Sequence, residues 1–388
     1  MELLLDTSNL KNPTLGYYVV GNVIHKSKTQ ALIDGTVRNI HPEWRFNNDV
    51  FDRYDWSVEP GETLSELYLA RCRELREKYD YLILSYSAGS DSQIILETCL
   101  KNNIKIDELL TVHPLGLEGA VPVDYHNYSN PLNIMAEWDL NMRPKLQWIA
   151  QHHPEIKITL HDWSQKIDTT ELKEDYVLGR NHNISPFYQH RCDWTIIPSI
   201  QDTLTKYDRV GVVVGIDKPR VCWHDGAYRL YFLDLLTSGV GPQVLAEKKD
   251  HPLKTEFFFW NPECCKILAK QAHVLVRYFE SNPSFKKFIK WPMLNPQWRA
   301  WYDVSVRAVI YPEMDLDFFQ AAKMNNMTFG FDALLFNIDG MKEKIVNIQK
   351  NNIDYMKKVI DSKFWNDVDG LPVLVGFPTG MYPIKFAD

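Results

Sequence analysis

Short, almost continuously apolar segments alternate with helix-like stretches through the middle of this 388-residue chain. Strands that are apolar along their whole length are covered on both faces, as in parallel sheets with helices on each side. The spacing between the first two segments suits a strand–helix–strand unit. We therefore predict an α/β fold: a parallel, Rossmann-like sheet with helices on both faces. The predicted strands are Tyr81–Ser85, Glu108–His113, Lys157–Asp162 and Arg209–Asp217.

The pattern changes on either side of these segments, which predicts three regions. Residues 1–75 form a small mixed N-terminal region, residues 76–236 the α/β domain, and residues 237–388 a mostly helical C-terminal region. The closing stretch, LPVLVGFPTGMYPIKF, is interrupted by Gly and Pro and is predicted to be irregular. Apolar periodicity and helix-start residues predict helices at Thr63–Lys78, Asp91–Asn102, Trp138–His152, Asn261–Glu280, Leu316–Met324 and Gly340–Asp361.

Charge and cysteine spacing exclude several classes of protein. The net charge of -7 and pI near 6.0 argue against wide contact with a nucleic-acid backbone, although a local basic groove stays open. The six cysteines form no CxxC pair, so the spacing of zinc ribbons and iron–sulfur proteins is absent. No apolar run is long enough to span a bilayer, and the N-terminus lacks the basic segment of a secretion signal. We expect a cytoplasmic protein without membrane contact, and its oligomeric state stays open.

The stretch YLILSYSAGSDSQIILETC, from Tyr81 to Cys99, places small and hydroxyl residues between a strand and a helix. The first amides of a helix have no internal partner and carry partial positive charge, so such a turn can bind an anion. Gly89 allows close approach to the backbone. The carboxylate of Asp91 would repel phosphate, and it is explained if it holds a magnesium ion that bridges phosphates. Alternatively, this is an ordinary turn in which Asp91 caps the helix.

The motif Ser87-Ala88-Gly89-Ser90-Asp91-Ser92 resembles the SGGxDS loop of the PP-loop ATP pyrophosphatase superfamily. Ala88 replaces the usual first glycine, and the resemblance covers roughly Tyr81–Arg220. It implies a fold of the HUP type, ATP and Mg²⁺ as cofactors, and adenylation of a substrate with release of pyrophosphate. It also implies that the whole motif binds the nucleotide and that Asp91 binds the metal. Neither GxxxxGK[ST] nor GxGxxG occurs in the chain.

Other candidate residues follow the predicted strands. Lys218 and Arg220 lie just beyond Arg209–Asp217, at the strand end where α/β sheets bind ligands. They resemble the basic element that meets pyrophosphate in this superfamily and, with Asp91, are the candidate catalytic residues; the alternative is a charged turn facing water. His113 ends the second strand, near the position where enzymes of this superfamily bind the adenine base. Arg191, in SPFYQHRCDW, is a further candidate for phosphate contact.

Three functions remain open at this point. A carbon–nitrogen ligase, in which an amine or ammonia attacks the adenylated acceptor, is favoured because no cysteine cluster or C-terminal cysteine serves sulfur chemistry. A thiolase or sulfonucleotide reductase-like enzyme acting on nucleotides or tRNA would relay sulfur through Cys192 or Cys222. A binding or structural protein that has lost turnover is supported by Ala88. The acceptor substrate is not identified by the sequence.

Overall fold

The computed structural model describes most of the N-terminal half of the chain and several separate stretches of the remainder. The described residues are 7–10, 12–113, 115–117, 138–162, 194–216, 218–234, 250–291, 302, 305–311, 314, 354–368 and 371–386.

The N-terminal region forms a three-stranded antiparallel sheet with helices. Strand β1 lies in the middle, between β2 and β3. Helix α3 begins at a capping box in which the Thr63 and Glu66 side chains each accept from the other's backbone amide, which confirms the predicted helix start. The elements are β1 (Tyr17–Val20), β2 (Val23–His25), α1 (Lys28–Arg38), β3 (Glu43–Arg45), α2 (Asn48–Phe51) and α3 (Leu64–Lys78).

A five-stranded sheet follows, in the order β10-β7-β4-β5-β6, with every neighbouring pair parallel. Its strands are β4 (Tyr81–Ser85), β5 (Glu108–His113), β6 (Lys157–Asp162), β7 (Val210–Val214) and β10 (Leu253–Phe257). The first three coincide with the predicted strands, and β7 is shorter than predicted. Strand β10 comes from the part of the chain predicted as a helical C-terminal region.

Both faces of this sheet are covered, as its apolar strands require. Leu82 and Leu84 of β4 pack in one apolar cluster with residues of the helices α3, α4, α5 and α7. Ile83, which points the other way, packs with Ile197 and Ile200 at the start of α6. These helices are α4 (Ser90–Lys101), α5 (Arg143–His152), α6 (Pro198–Leu204) and α7 (Cys265–Ser281). The protein is thus mixed α/β, with a parallel sheet flanked by helices and compatible with a Rossmann-like fold.

A second antiparallel sheet joins residues far apart in sequence. Its order is β13-β9-β8, from β8 (Arg220–His224), β9 (Ala227–Tyr231) and β13 (Tyr382–Phe386). The prediction that the last 16 or so residues are irregular is wrong, because β12 (Leu371–Leu374) pairs with β11 (Trp365–Val368) and β13 pairs with β9. Strand pairing supplied from elsewhere in the chain overrides the local Gly and Pro signals.

The mostly helical C-terminal region is not confirmed. Asn261 caps a 3₁₀ turn that leads into α7, close to the predicted helix, and α8 (Pro283–Lys286) follows. Residues 305–310 and 354–359 are also helical, whereas Leu316–Met324 lies outside the described residues. None of the helices in the described ranges has the length and apolar character that crossing a bilayer requires.

Candidate functional site at the carboxyl edge of the parallel sheet

The loop after β4 leaves the sheet at the point where the strand order reverses. From β4 the chain adds β5 and then β6 on one side, and it returns to add β7 and β10 on the other. Ligands of open α/β sheets bind beyond the carboxyl ends of the strands at such a switch point. The loop that carries the SAGSDS motif therefore lies at the position where this architecture places a ligand.

Hydroxyl groups fold this loop onto itself. The Ser92 Oγ accepts from the Ser87 amide at 3.3 Å and donates to the Gly89 carbonyl at 3.1 Å. The Ser87 Oγ accepts from the Gly89 amide at 3.3 Å. Ser87 and Ser92, which we expected to meet a ligand, thus serve at least to shape the loop. Ser90 is the first residue of α4 and is buried.

Helix α4 begins without a capping side chain. Gly89 is the N-cap residue, and it has no side chain that could bond to the first amides of the helix. Asp91 is not the N-cap residue but lies in the first turn of the helix. The amides of Ser90, Asp91 and Ser92 have no partner inside the helix, which leaves positive partial charge at the loop.

Ala88 adopts a left-handed backbone conformation, with φ of 52°. This region costs a residue with a Cβ atom roughly 1–2 kcal/mol, whereas glycine enters it freely. The side chain is fully buried. The position where the superfamily motif has glycine is thus one where glycine is the unstrained choice, and this chain holds alanine there against that cost.

Asp91 points to a lysine and a tyrosine that come from distant parts of the chain. The Lys218 Nζ donates to both carboxylate oxygens, at 2.6 and 2.7 Å. The Tyr311 hydroxyl donates to Oδ1 at 2.5 Å. The side chains of Lys218 and Asp91 are only 8% and 17% exposed. This largely buried ion pair brings Lys218 and Asp91 together at the edge of the sheet.

Arg220 takes a different position from the one we expected beside Lys218. It is the first residue of β8, is almost fully buried, and its guanidinium lies 5.7 Å from the centre of the Tyr302 ring. The Tyr302 hydroxyl accepts from the Val221 amide and donates to the Pro219 carbonyl. The guanidinium of Arg220 is thus packed beside an aromatic ring, and a catalytic role for Arg220 stays a prediction.

Arg307 adds positive charge near Asp91. Half-burial lowers the pKa of Arg307, and the Asp91 carboxylate acts in the opposite direction by favouring the guanidinium. Arg307 also accepts, through its carbonyl, from the amide of Tyr311. Lys218, which follows β7, pairs with the Asp91 carboxylate, and the charge of Arg307 is favoured by the same carboxylate.

His113 ends β5 at the same edge of the sheet and is buried. Its ring lies 5.9 Å from the Trp138 ring, with 20° between their planes. The position at which we predicted that adenine binds is thus occupied by two stacked rings, those of His113 and Trp138. Arg191 lies outside the described residues, as do Asp217, His190 and Cys192.

Two residues that the sequence reasoning did not single out meet the loop from α5's side of the sheet. The Asn141 Nδ2 donates to the Ala88 carbonyl at 2.8 Å, and the Lys145 Nζ lies 3.4 Å from the same oxygen. Both side chains are buried. The only sequence pattern that relates Asn141 to Lys145 is their spacing of four residues, which places them on one face of a predicted helix. No sequence pattern indicated that Tyr311 would lie at the site.

The donor set fits Mg²⁺ only together with a phosphate ligand. Among the described residues, no three His, Cys, Asp or Glu side chains are arranged to hold a metal. Asp91 supplies one carboxylate, which is already neutralised by Lys218. Mg²⁺ in nucleotide sites is commonly held by one or two carboxylates, waters and phosphate oxygens, so Asp91 fits such an ion when phosphates complete its ligands.

The described cysteines are poor candidates for sulfur chemistry. Burial raises the pKa of the Cys222 thiol to about 12 and that of Cys264 to about 12. The reactive form is the thiolate, and burial of Cys222 disfavours that form. This finding weakens the sulfur-relay alternative at Cys222.

In comparisons with known proteins, no family model and no curated protein matches the chain. The resemblance to PP-loop enzymes therefore stays a prediction from the sequence, based on residues 87–92 and on Lys218 and Arg220. The function of the site is argued below from the loop, the uncapped helix and the cations around them.

Proposed function

We propose that this protein is an ATP-binding PP-loop enzyme that adenylates an acceptor, releases pyrophosphate and transfers the activated group to an amine or ammonia. The observation that carries the proposal is the uncapped start of α4 at the switch point of the sheet, with Lys218 reaching the same turn. Backbone amides and a lysine at such a turn suit a nucleotide's phosphates.

The residues have separate roles in this proposal. The amides of Ser90 and Ser92 bind phosphate oxygens, and Lys218 neutralises the charge that develops on the leaving pyrophosphate. His113 and Trp138 border the side where the base lies. An acceptor oxygen attacks the α-phosphorus, the bond to the pyrophosphate oxygen breaks, and the amine or ammonia then displaces AMP from the adenylated acceptor.

Asp91 is the residue that would hold Mg²⁺ in this site. The chemistry that such an ion would supply is positive charge to offset that of the phosphates. The ammonium of Lys218 holds Asp91 in a fixed orientation before any nucleotide arrives.

The five cysteines among the described residues are free thiols, which supports a reducing compartment such as the cytoplasm.

The test is thermal melting and equilibrium binding with ATP plus Mg²⁺, GTP plus Mg²⁺, and AMP. At about a hundred times its Kd, a ligand stabilises the folded state by roughly 2.7 kcal/mol, which raises Tm measurably. We expect a shift that is specific for adenine nucleotides and that is lost for ATP plus Mg²⁺ in Asp91→Ala. Lys218→Ala should slow pyrophosphate release more than it weakens AMP binding.

Matched controls come from the opposite edge of the sheet. Asp80 directly precedes β4 and pairs with Arg209 at 2.6 Å, so Asp80→Ala removes an ion-paired aspartate remote from the loop. It should leave the nucleotide response intact. Absence of any nucleotide-dependent shift in the wild type, or an equal shift in Asp91→Ala, would contradict the proposal.

One rival function has a specific observation in its favour. The strained conformation of Ala88, at φ of 52°, is what a PP-loop that has lost turnover would tolerate. A degenerate nucleotide-binding protein would show the adenine-specific Tm shift but release no pyrophosphate with any amine acceptor or ammonia. Pyrophosphate release that depends on Lys218 would exclude it.

A further inference from the structure

The loop conformation at Ala88 is held from outside the loop. Two donors converge on the Ala88 carbonyl: the Asn141 Nδ2 at 2.8 Å and the Lys145 Nζ at 3.4 Å. A carbonyl oxygen has two lone pairs and accepts both. The orientation of this carbonyl is set by the backbone angles of Ala88, so donors fixed in space favour the left-handed state that these angles require.

The element that carries these donors is unusual. Asn141 lies in a π-helical turn, Trp138–Met142, which runs directly into α5. Such turns are rare and are frequently found at functional sites. Both donors are buried, with Asn141 at 4% and Lys145 at 3% exposure.

Asn141 has a second polar atom at the loop. Its Oδ1 is buried and has no hydrogen-bond partner among the residues that the structure describes. A buried acceptor without a partner is costly unless the group serves another purpose. Here the Nδ2 half of the same amide donates to the Ala88 carbonyl, which fixes the orientation of the side chain.

We propose that Asn141, assisted by Lys145, is a positioning residue that holds Ala88 in its left-handed conformation and so keeps the first amides of α4 open to phosphate. Alanine at this position makes the clamp necessary, since glycine would adopt the same backbone state unaided. The proposal rests on the nucleotide site proposed above for its functional readout. Its structural part, the coupling between residues 88 and 141, stands independently.

A double-mutant cycle tests the coupling. The four proteins are the wild type, Ala88→Gly, Asn141→Ala and the double variant, each measured for ATP plus Mg²⁺ affinity. We expect Asn141→Ala to weaken binding about tenfold or more beside Ala88 but less than about threefold beside Gly at position 88. Equal losses in the two backgrounds would overturn the proposal, because a general packing role or direct ligand contact gives additive effects.

Two further variants keep the test decisive. Asn141→Asp preserves the side-chain volume while removing the donor, and it should show the same background dependence if Asn141→Ala does not fold. Asn282→Ala is the control: its Nδ2 donates to the Tyr278 carbonyl, also at 2.8 Å, at the end of α7. Its effect on affinity should be small and independent of residue 88.

Failure of the nucleotide proposal is distinguishable from failure of this inference. If the wild type binds no nucleotide, the proposed function is wrong, and the cycle is read from Tm of the unliganded proteins. Asn141→Ala should then lower Tm less in the Ala88→Gly background than in the wild type. Additive Tm changes would overturn the clamp, whatever the ligand.

Discussion

At the scale of single residues, the site depends on one carboxylate held by two donors. Asp91 accepts from the Lys218 ammonium and from the Tyr311 hydroxyl. The position of Tyr311 is also fixed by its surroundings. Tyr311 is buried, and its ring lies 5.7 Å from the ring of Phe259. The carbonyl of the preceding residue, Ile310, accepts a hydrogen bond from the Tyr68 hydroxyl. Asp91 therefore has a defined orientation in the absence of ligand.

Tyr311→Phe removes one of these donors and keeps the ring. We expect the free energy of unfolding to fall by about 1–3 kcal/mol, as for a lost hydrogen bond to a charged group. We also expect weaker binding of ATP plus Mg²⁺, with AMP binding in the absence of metal unchanged. Denaturant unfolding and calorimetric titration measure the two effects.

Tyr382→Phe is the matched control for this prediction. Tyr382 is also buried and donates to a carboxylate, that of Asp52, at 2.8 Å. Its loss should cost similar stability without any change in nucleotide affinity. Equal changes in affinity for the two variants would show that Tyr311 acts on stability alone.

At the scale of elements, the end of β7 and the start of α4 are in close contact. Gly215 directly follows β7, and a Cβ atom there would lie 2.9 Å from the carbonyl carbon of Asp91 and 3.0 Å from its oxygen. A contact this short with backbone forces the helix to move. The glycine is therefore required by the approach of the two elements, not by its own dihedral angles.

Gly215→Ala should push the first turn of α4 away from Lys218. We expect a loss of about 1–3 kcal/mol in the free energy of unfolding, typical of overpacking, together with weaker nucleotide binding. Gly61→Ala is the control, because a Cβ atom at Gly61 meets nothing within 4 Å. It should leave binding unchanged and stability unchanged or slightly higher. A fully tolerated Gly215→Ala would contradict the close approach.

At the scale of the whole molecule, the terminal regions share one apolar core with the parallel sheet. The same cluster contains Leu15, Leu84 and Ile384. A buried ion pair, Lys28 with Asp234 at 2.7 Å, links α1 to the chain just after β9. Contacts between regions distant in sequence are thus as much a part of the core as the sheet itself.

The polar face of α7 makes ion pairs with the N-terminal region. Glu59 pairs with Lys270 at 2.8 Å and with Arg277 at 2.5 Å, and Glu62 pairs with Lys266 at 2.5 Å. The ring of His273 bonds to the Trp56 carbonyl at 3.0 Å. Residues 56–62 are therefore held along the length of α7.

The ion pairs of Glu59 with Lys270 and Arg277 predict how the stability of the protein changes with pH in the acid range. Burial alone would raise the pKa of Glu59, but hydrogen bonds and charge from Arg277 and Lys270 bring it down to about 2. Because the folded value lies below the unfolded value of 4.5, Glu59 stabilises the protein above about pH 4.5 and loses that contribution as pH falls toward 2. The difference in Tm between the wild type and Glu59→Gln should shrink over this range.

Removal of both cations checks the cause of this effect. In a protein carrying Lys270→Met and Arg277→Met, Glu59→Gln should no longer produce a pH-dependent difference in Tm between pH 5 and pH 2. A difference that persists in that background would show that the pairs do not cause it.

Local signals were enough for the strands and for the position of the loop. Short apolar runs predicted β4 and β5 at their observed bounds, because a strand that is buried on both faces is apolar along most of its length. The alternation of strand-like and helix-like stretches located β6, which lies at the edge of the sheet and is more exposed. The cap at Asn261 predicted a helix start because the residues that satisfy the first amides are neighbours in sequence, and apolar periodicity predicted the helix that begins after Thr63. The sequence alone thus determined the α/β class and the strand–loop–helix unit.

Only the tertiary structure decided what surrounds the loop. Tyr311 meets Asp91 across 220 positions of sequence, and Asn141 meets Ala88 across 53. The conformation of Ala88 and the pairing of β13 with β9 likewise depend on partners that no local pattern encodes. Propensity and periodicity report what a residue does to its neighbours along the chain, whereas the donors at this site are brought together by strand order and packing, which belong to the whole fold.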